Sequence, residues 1–82
     1  AAIEKGKLMH KQMDDGPGVL KHQTIAPGCR VDGIDFSNRI IYELKPNNPR
    51  AIARGMNQLN RYTSAASQQF GGTWTGVLKL YD

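Results

Sequence analysis

Apolar and polar positions change rhythm along this chain, and each change marks an element. Residues 1–13 carry Ile3, Leu8, Met9 and Met13 at partly helical spacing among good helix formers, which predicts a short helix. Asp14-Asp15-Gly16-Pro17-Gly18 breaks it. Residues 19–25 predict a first strand, and Ala26-Pro27-Gly28 a turn of type II, which favours Pro followed by Gly. Two apolar-rich runs follow, 30–36 and 39–45, split by Ser37-Asn38. Val31, Ile34, Phe36, Ile40, Ile41 and Tyr42 give both runs β character, so a hairpin with a two-residue loop is expected. Asn48-Pro49 supplies a cap and a first-turn proline, and Gly71-Gly72 a stop, which predicts a long helix over 49–70. Ile52, Met56, Leu59, Thr63, Ala66 and Phe70 recur at helical spacing and are expected to form its packed face. Residues 74–81 predict a last strand. The order is αβββαβ, with no repeat and no low-complexity segment.

The hairpin sets up the chemistry. A two-residue loop places Phe36 against Arg39, and counting back places Asp32 against Glu43. Facing residues share a sheet face, with Cβ atoms roughly 5 Å apart. Lys45 lies two residues beyond Glu43 and joins that face. Ile34, Phe36 and Ile41 continue it toward the turn as expected core. One face is therefore apolar at its turn end and holds Asp, Glu and Lys at its open end. Two adjacent carboxylates repel unless a cation lies between them. A divalent metal with oxygen ligands is the simplest solution. Lys45 adds a compact donor suited to an activated water or a developing negative charge. Asp35 has the opposite parity and is expected to be structural or supporting. A register slip of one residue would break the Asp32–Glu43 partnership. The bland alternative is a surface ion-pair cluster, worth only ~0–1 kcal/mol.

Composition adds a polyanion preference and removes other classes. Eighty-two residues make one small domain, with a net charge of +4 and a pI near 9.5. Eleven Lys and Arg against seven acids suit a polyanionic partner, and Asp32, Asp35 and Glu43 lie close together within that basic background. The one cysteine, Cys29, excludes an internal disulfide framework and has no zinc-ligand spacing around it; it is expected to be a small apolar residue near a turn. No signal-peptide pattern and no apolar run of membrane length is present. The chain starts Ala-Ala-Ile-Glu without Met, which predicts a C-terminal piece of something longer. Arg50, Arg54, Asn57 and Arg61 cluster on a helix face nearly opposite the apolar one. That stripe could contact phosphates, dock an acidic protein or simply be solvated. His10 and His22 are isolated, each a base or phosphate donor in one reading and a surface or packing residue in the other.

Asp32, followed on the next strand by Glu43-Leu44-Lys45, resembles the PD-(D/E)XK nuclease core. The run from Arg30 to Ala51, RVDGIDFSNRIIYELKPNNPRA, is similar to restriction-endonuclease-fold toxin domains at the C-terminal ends of bacterial polymorphic and contact-dependent toxins. Val31 stands where that pattern has Pro before the Asp. The resemblance covers essentially the whole chain, 1–82, as a single domain. It implies an α/β (α+β) core with a mixed four-stranded sheet flanked by two helices. It further implies a metal-dependent nuclease. Asp32, Glu43 and the backbone carbonyl of Leu44 would hold Mg²⁺ or Mn²⁺, and Lys45 would position the attacking water. Gln58-Leu-Asn-Arg-Tyr62 matches a Gln-x-x-x-Tyr pair that lines the site in some such nucleases. Its two side chains are helix neighbours, expected on the boundary between the apolar face and the Arg stripe. The alternative is a rim Tyr and a solvated Gln. Glu4, the one acid in residues 1–13, is the counterpart of a first-helix Glu that completes the metal site, or else an acid that suits a helix N-terminus. The implied role is an antibacterial toxin delivered into the target-cell cytoplasm, cutting DNA there, with RNA as the alternative substrate. A cognate immunity protein would protect the producer, and a basic cleft suggests that it is acidic. The rival from another class is a non-catalytic module that binds nucleic acid or protein.

Overall fold

Turn and cap chemistry sets the element boundaries. The computed structural model describes residues 18–82. They form β1 (Val19–Ala26), β2 (Cys29–Asp35), β3 (Ile40–Pro46), helix α1 (Pro49–Phe70) and β4 (Thr75–Tyr81). The expected first helix, with Glu4 and His10, lies outside the described residues. The strands make one mixed sheet in the order β1-β2-β3-β4. β1–β2 and β2–β3 are antiparallel, and β3–β4 is parallel. A parallel neighbour requires a long crossover, and α1 is that crossover. The arrangement is the α+β sheet expected of the sequence.

Asn48 is extended, with φ −147°, and its side chain accepts a hydrogen bond from the Ala51 N–H at 2.9 Å. Pro49 fills the first turn, where its missing N–H is harmless. At the other end Gly71 has φ 77°, and its N–H donates to the Ser67 carbonyl at 2.9 Å. The packed face differs from the one expected. Gly55, Leu59, Tyr62 and Ala66 are the buried positions, whereas Met56 is 50% and Phe70 45% exposed. The helix is rotated toward Gly55 because that residue lets it approach the sheet closely. A Cβ on Gly55 would lie 2.7 Å from Leu78 Cδ1 and 2.9 Å from Lys45 Cγ. Ile34 and Ile41, fully buried, meet Leu59, Tyr62 and Ala66 in the core. Cys29 is a free, buried thiol beside the β1–β2 turn, within that core.

The β2–β3 loop is wider than two residues, spanning 36–39. Asp35 causes the widening. Its carboxylate accepts from the Asn38 N–H at 3.1 Å and from Asn38 Nδ2 at 2.7 Å, an Asx-type turn. Those two bonds, the side-chain one first, hold the Asp35 carboxyl below its ordinary range. Asp35 is thus the structural residue anticipated. Phe36 leaves the sheet and is 43% exposed instead of being core. It meets Phe70 and Trp74 edge to face, with ring centroids 5.0 and 5.8 Å away. Trp74 Nε1 donates to the Gly71 carbonyl at 3.0 Å, which ties this cluster to the end of α1.

Candidate active site

Widening the loop adds a residue on each side, so the strand register is unchanged. Gly33 pairs with Tyr42, Ile34 with Ile41 and Asp35 with Ile40. One step further along both strands, Asp32 stands against Glu43. The backbone ladder between β2 and β3 stops short of that step. β2 continues with β1 as far as Cys29, and β3 continues with β4 to Pro46. The sheet therefore forks, and the two acids sit in the crotch.

Side chains replace the missing ladder there. The Asp32 N–H donates to Glu43 Oε1 at 3.3 Å, and the Leu44 N–H donates to Asp32 Oδ2 at 2.9 Å. Each carboxylate thus satisfies an N–H of the opposite strand, which fixes both acids on the fork. Glu43 is only 4% exposed, Asp32 and Lys45 are half-buried, and the Leu44 side chain is buried. Burial, and then the negative charge of Asp32, push the Glu43 carboxyl from 4.5 to about 7. The Asp32 N–H and the nearby Lys45 ammonium pull it part of the way back. Lys45 is held from above, its stem packed beneath Gly55.

Tyr62 lies on the sheet-facing side of α1, whereas Gln58, half-buried, keeps the expected place on the flank toward the arginines. Tyr62 is 5% exposed within the core, and the Arg61 guanidinium lies 5.3 Å from its ring centroid. Gln58 Oε1 is buried, with no hydrogen-bond partner among the described residues, where such an acceptor normally finds a donor. His22 stands between the Lys21↔Gly33 and Gln23↔Val31 pairs, beside Asp32, with φ 52°. That backbone conformation is uncommon outside glycine, and nothing in the sequence marks it. Gly55 is a residue that the sequence pattern left unremarked. Its signal was available, since a lone glycine inside a long helix usually has a packing reason. A shallow depression lined by Thr63, Ser67, Gly72 and Trp74 lies at the far end of α1 and contains no ionisable group.

Two hard oxygen donors in a half-desolvated crotch, one with its carboxyl lifted toward neutrality, suit a small divalent cation. Among the described residues no group of three or more His, Cys, Asp or Glu could hold a metal. Two carboxylates are too few for an all-protein cage, and an ion such as Mg²⁺, which keeps several waters, needs no more.

The lifted carboxyl predicts how stability follows pH. Between about pH 4.5 and 7 the folded chain holds a proton on Glu43 that the unfolded chain has released. Metal-free stability therefore falls as pH rises through that window. The loss is on the order of 2 kcal/mol after discounting for solvent at the fork, or roughly 10 °C in Tm. Thermal melts in EDTA from pH 4.5 to 8 should decline in this way. Added Mn²⁺ should restore far more at pH 8 than at pH 5, because binding needs the carboxylate. A flat Tm with no metal response at pH 8 would contradict the arrangement.

No helix among the described residues is long and apolar enough to cross a membrane. Compared with protein-family models, the chain is similar over residues 1–81 to restriction endonuclease fold toxin 9. No curated protein and no solved structure gives a significant match.

Proposed function

Since this chain belongs to the restriction endonuclease fold toxin family, we propose that it is a metal-dependent nuclease centred on Asp32, Glu43 and Lys45. The observation that carries this reading is the fork, where two carboxylates on opposed strands each accept a backbone N–H of the other strand beside a lysine. Asp32, Glu43 and the backbone carbonyl of Leu44 would hold Mg²⁺ or Mn²⁺, which when bound supplies Lewis-acid polarisation of the phosphate and an acidified water. Glu4 is the candidate for a further oxygen ligand. Lys45 orients the attacking water with its ammonium and offsets charge as the phosphorus becomes five-coordinate. The bond broken is P–O3′. Gln58 offers its Oε1 to the water or to the Lys45 ammonium, and the buried Tyr62 one turn on steadies that part of the helix.

DNA is the substrate we favour, because a basic chain with no base-reading motif suits a backbone-directed cut of low sequence selectivity. In this reading the domain is delivered into the cytoplasm of a target cell, and an acidic immunity protein in the producer covers the fork. The deciding assay incubates the purified domain with supercoiled plasmid, linear duplex, single-stranded DNA and total RNA. Nicking and linearisation of plasmid in Mg²⁺ or Mn²⁺, stopped by excess EDTA, are expected. Degradation of RNA alone would reassign the substrate. No cleavage of any of the four with metal present would leave a binding module.

A further inference from the structure

Helix α1 carries Arg50, Arg54 and Arg61 and no acid anywhere in its 22 residues. The charges also run against the helix dipole. Arg50 and Arg54 lie in the first two turns, with no acid in the first turn and no base in the last. Stability alone favours the opposite placement. All three arginines and Asn57 are exposed.

The contacts of α1 settle which way this stripe leans. Gly55 sits over Lys45 and Leu78, that is, over β3 and β4. Leu59 is on the β4 side, since a Cβ on Gly76 would lie 3.1 Å from Leu59 Cβ. At about 100° per residue, Gln58 falls on the other flank of the Gly55 line, with Arg54, Arg61 and Arg50 beyond it. That flank overhangs the β2 side of β3, where the sheet forks at Asp32 and Glu43. Arg30, exposed on β2 two residues from Asp32, shares the face of that acid from the far side of the fork.

We propose that Arg50, Arg54 and Arg61 form a phosphate track that lays a nucleic-acid strand into the fork, an inference that rests on the nuclease reading above. From Arg50 to Arg61 the helix rises about 16 Å, which spans four to five phosphates of one strand at ~3.4 Å each. Arg61 is partly anchored, its guanidinium carbon lying 5.3 Å from the Tyr62 ring centroid, and the residue is exposed.

The test is metal-free binding, so it does not depend on cleavage. Labelled duplex DNA is titrated in EDTA by fluorescence anisotropy at several salt concentrations. Three proteins are compared: wild type, the triple variant R50Q/R54Q/R61Q, and Lys79→Gln, whose ammonium lies on the other sheet face, 5.5 Å from the Tyr42 ring centroid. The expected result is a salt slope for the triple variant shallower by between two and three, with affinity weaker by on the order of tenfold or more at ~100 mM salt. Lys79→Gln should change the slope by at most about one. Equal slopes for wild type and triple variant, an equal loss in Lys79→Gln, or no salt-dependent binding by wild type would each overturn the track. Cleavage that survives with the track disproved would leave the nuclease reading standing and return the stripe to solvent or to an acidic protein.

Discussion

Asp32→Asn, Glu43→Gln and Lys45→Ala should each lower plasmid nicking in Mg²⁺ on the order of a thousandfold or more. Losing one positioned donor to a developing charge typically removes 10²–10³ in rate, about 3–4 kcal/mol, and Lys45 is a lysine whose charge reaches Glu43. The carboxylates should matter at least as much. Each would be a metal ligand, and each also holds the opposite strand at 2.9 or 3.3 Å. The amide replacements keep an acceptor oxygen for those N–H groups, so the fold should persist. Glu43→Gln carries a second, opposite signature. It removes a buried carboxyl that burial pushes up to about 7, so the metal-free variant should melt higher than wild type at pH 8 while Mn²⁺ no longer stabilises it. Activity down with metal-free stability up cannot come from a damaged fold. If all three variants nick at the wild-type rate, the fork is not the catalytic centre.

Gly55→Leu should unfold the domain at ordinary temperature or leave it several kcal/mol weaker, while Gly55→Ala should hurt activity more than stability. Alanine gains about 1 kcal/mol of helix propensity over glycine. Its methyl would nonetheless arrive 2.7 Å from Leu78 Cδ1 and 2.9 Å from Lys45 Cγ. The leucine methyl can swing aside cheaply, being the end of a flexible side chain. The lysine can yield only by moving its stem, and with it the ammonium. Stability should then change by less than about 1 kcal/mol, while the turnover rate falls roughly tenfold to a hundredfold. Leucine has no such escape, and overpacking of that size costs ~1–3 kcal/mol or more in a small domain with little to spare. Urea melts and initial nicking rates on both variants decide it. An active, stable Gly55→Leu would mean that the helix does not rest on the sheet there.

Much of this architecture was legible because its signals are local. Asn48-Pro49 and Gly71-Gly72 bracket α1, since caps act on the residues beside them. The Asp32–Glu43 register was legible too, even though the loop is wider than two residues. Alternation on two strands constrains the pairing, and a symmetric loop change leaves it intact. What sequence could not supply is the roll of the helix. A hydrophobic pattern places Met56 and Phe70 inward, but close approach at Gly55 turns the helix so that Tyr62 goes in and Met56 out. Phe36 misled for a similar reason. Strand composition says nothing of Asp35 capturing Asn38 and ending the ladder early. The sequence likewise gave no warning that Asp32 and Glu43 would take over from backbone pairing. That depends on where two strands separate, which is a property of the whole sheet.

Trp74 is the chain's one tryptophan, 8% exposed and wedged against Phe36 and Phe70. It lies past the end of α1 and just before Thr75, which pairs with Ile40, so it stands roughly 13 Å along β3 from Glu43. The molecule therefore carries its own optical gauge. Emission from that indole will redden as the helix and hairpin come apart, without a label. A paramagnetic ion such as Mn²⁺ at the fork sits too far away for contact quenching, so conformational readings and metal titrations can be run in one cuvette without confusing the two.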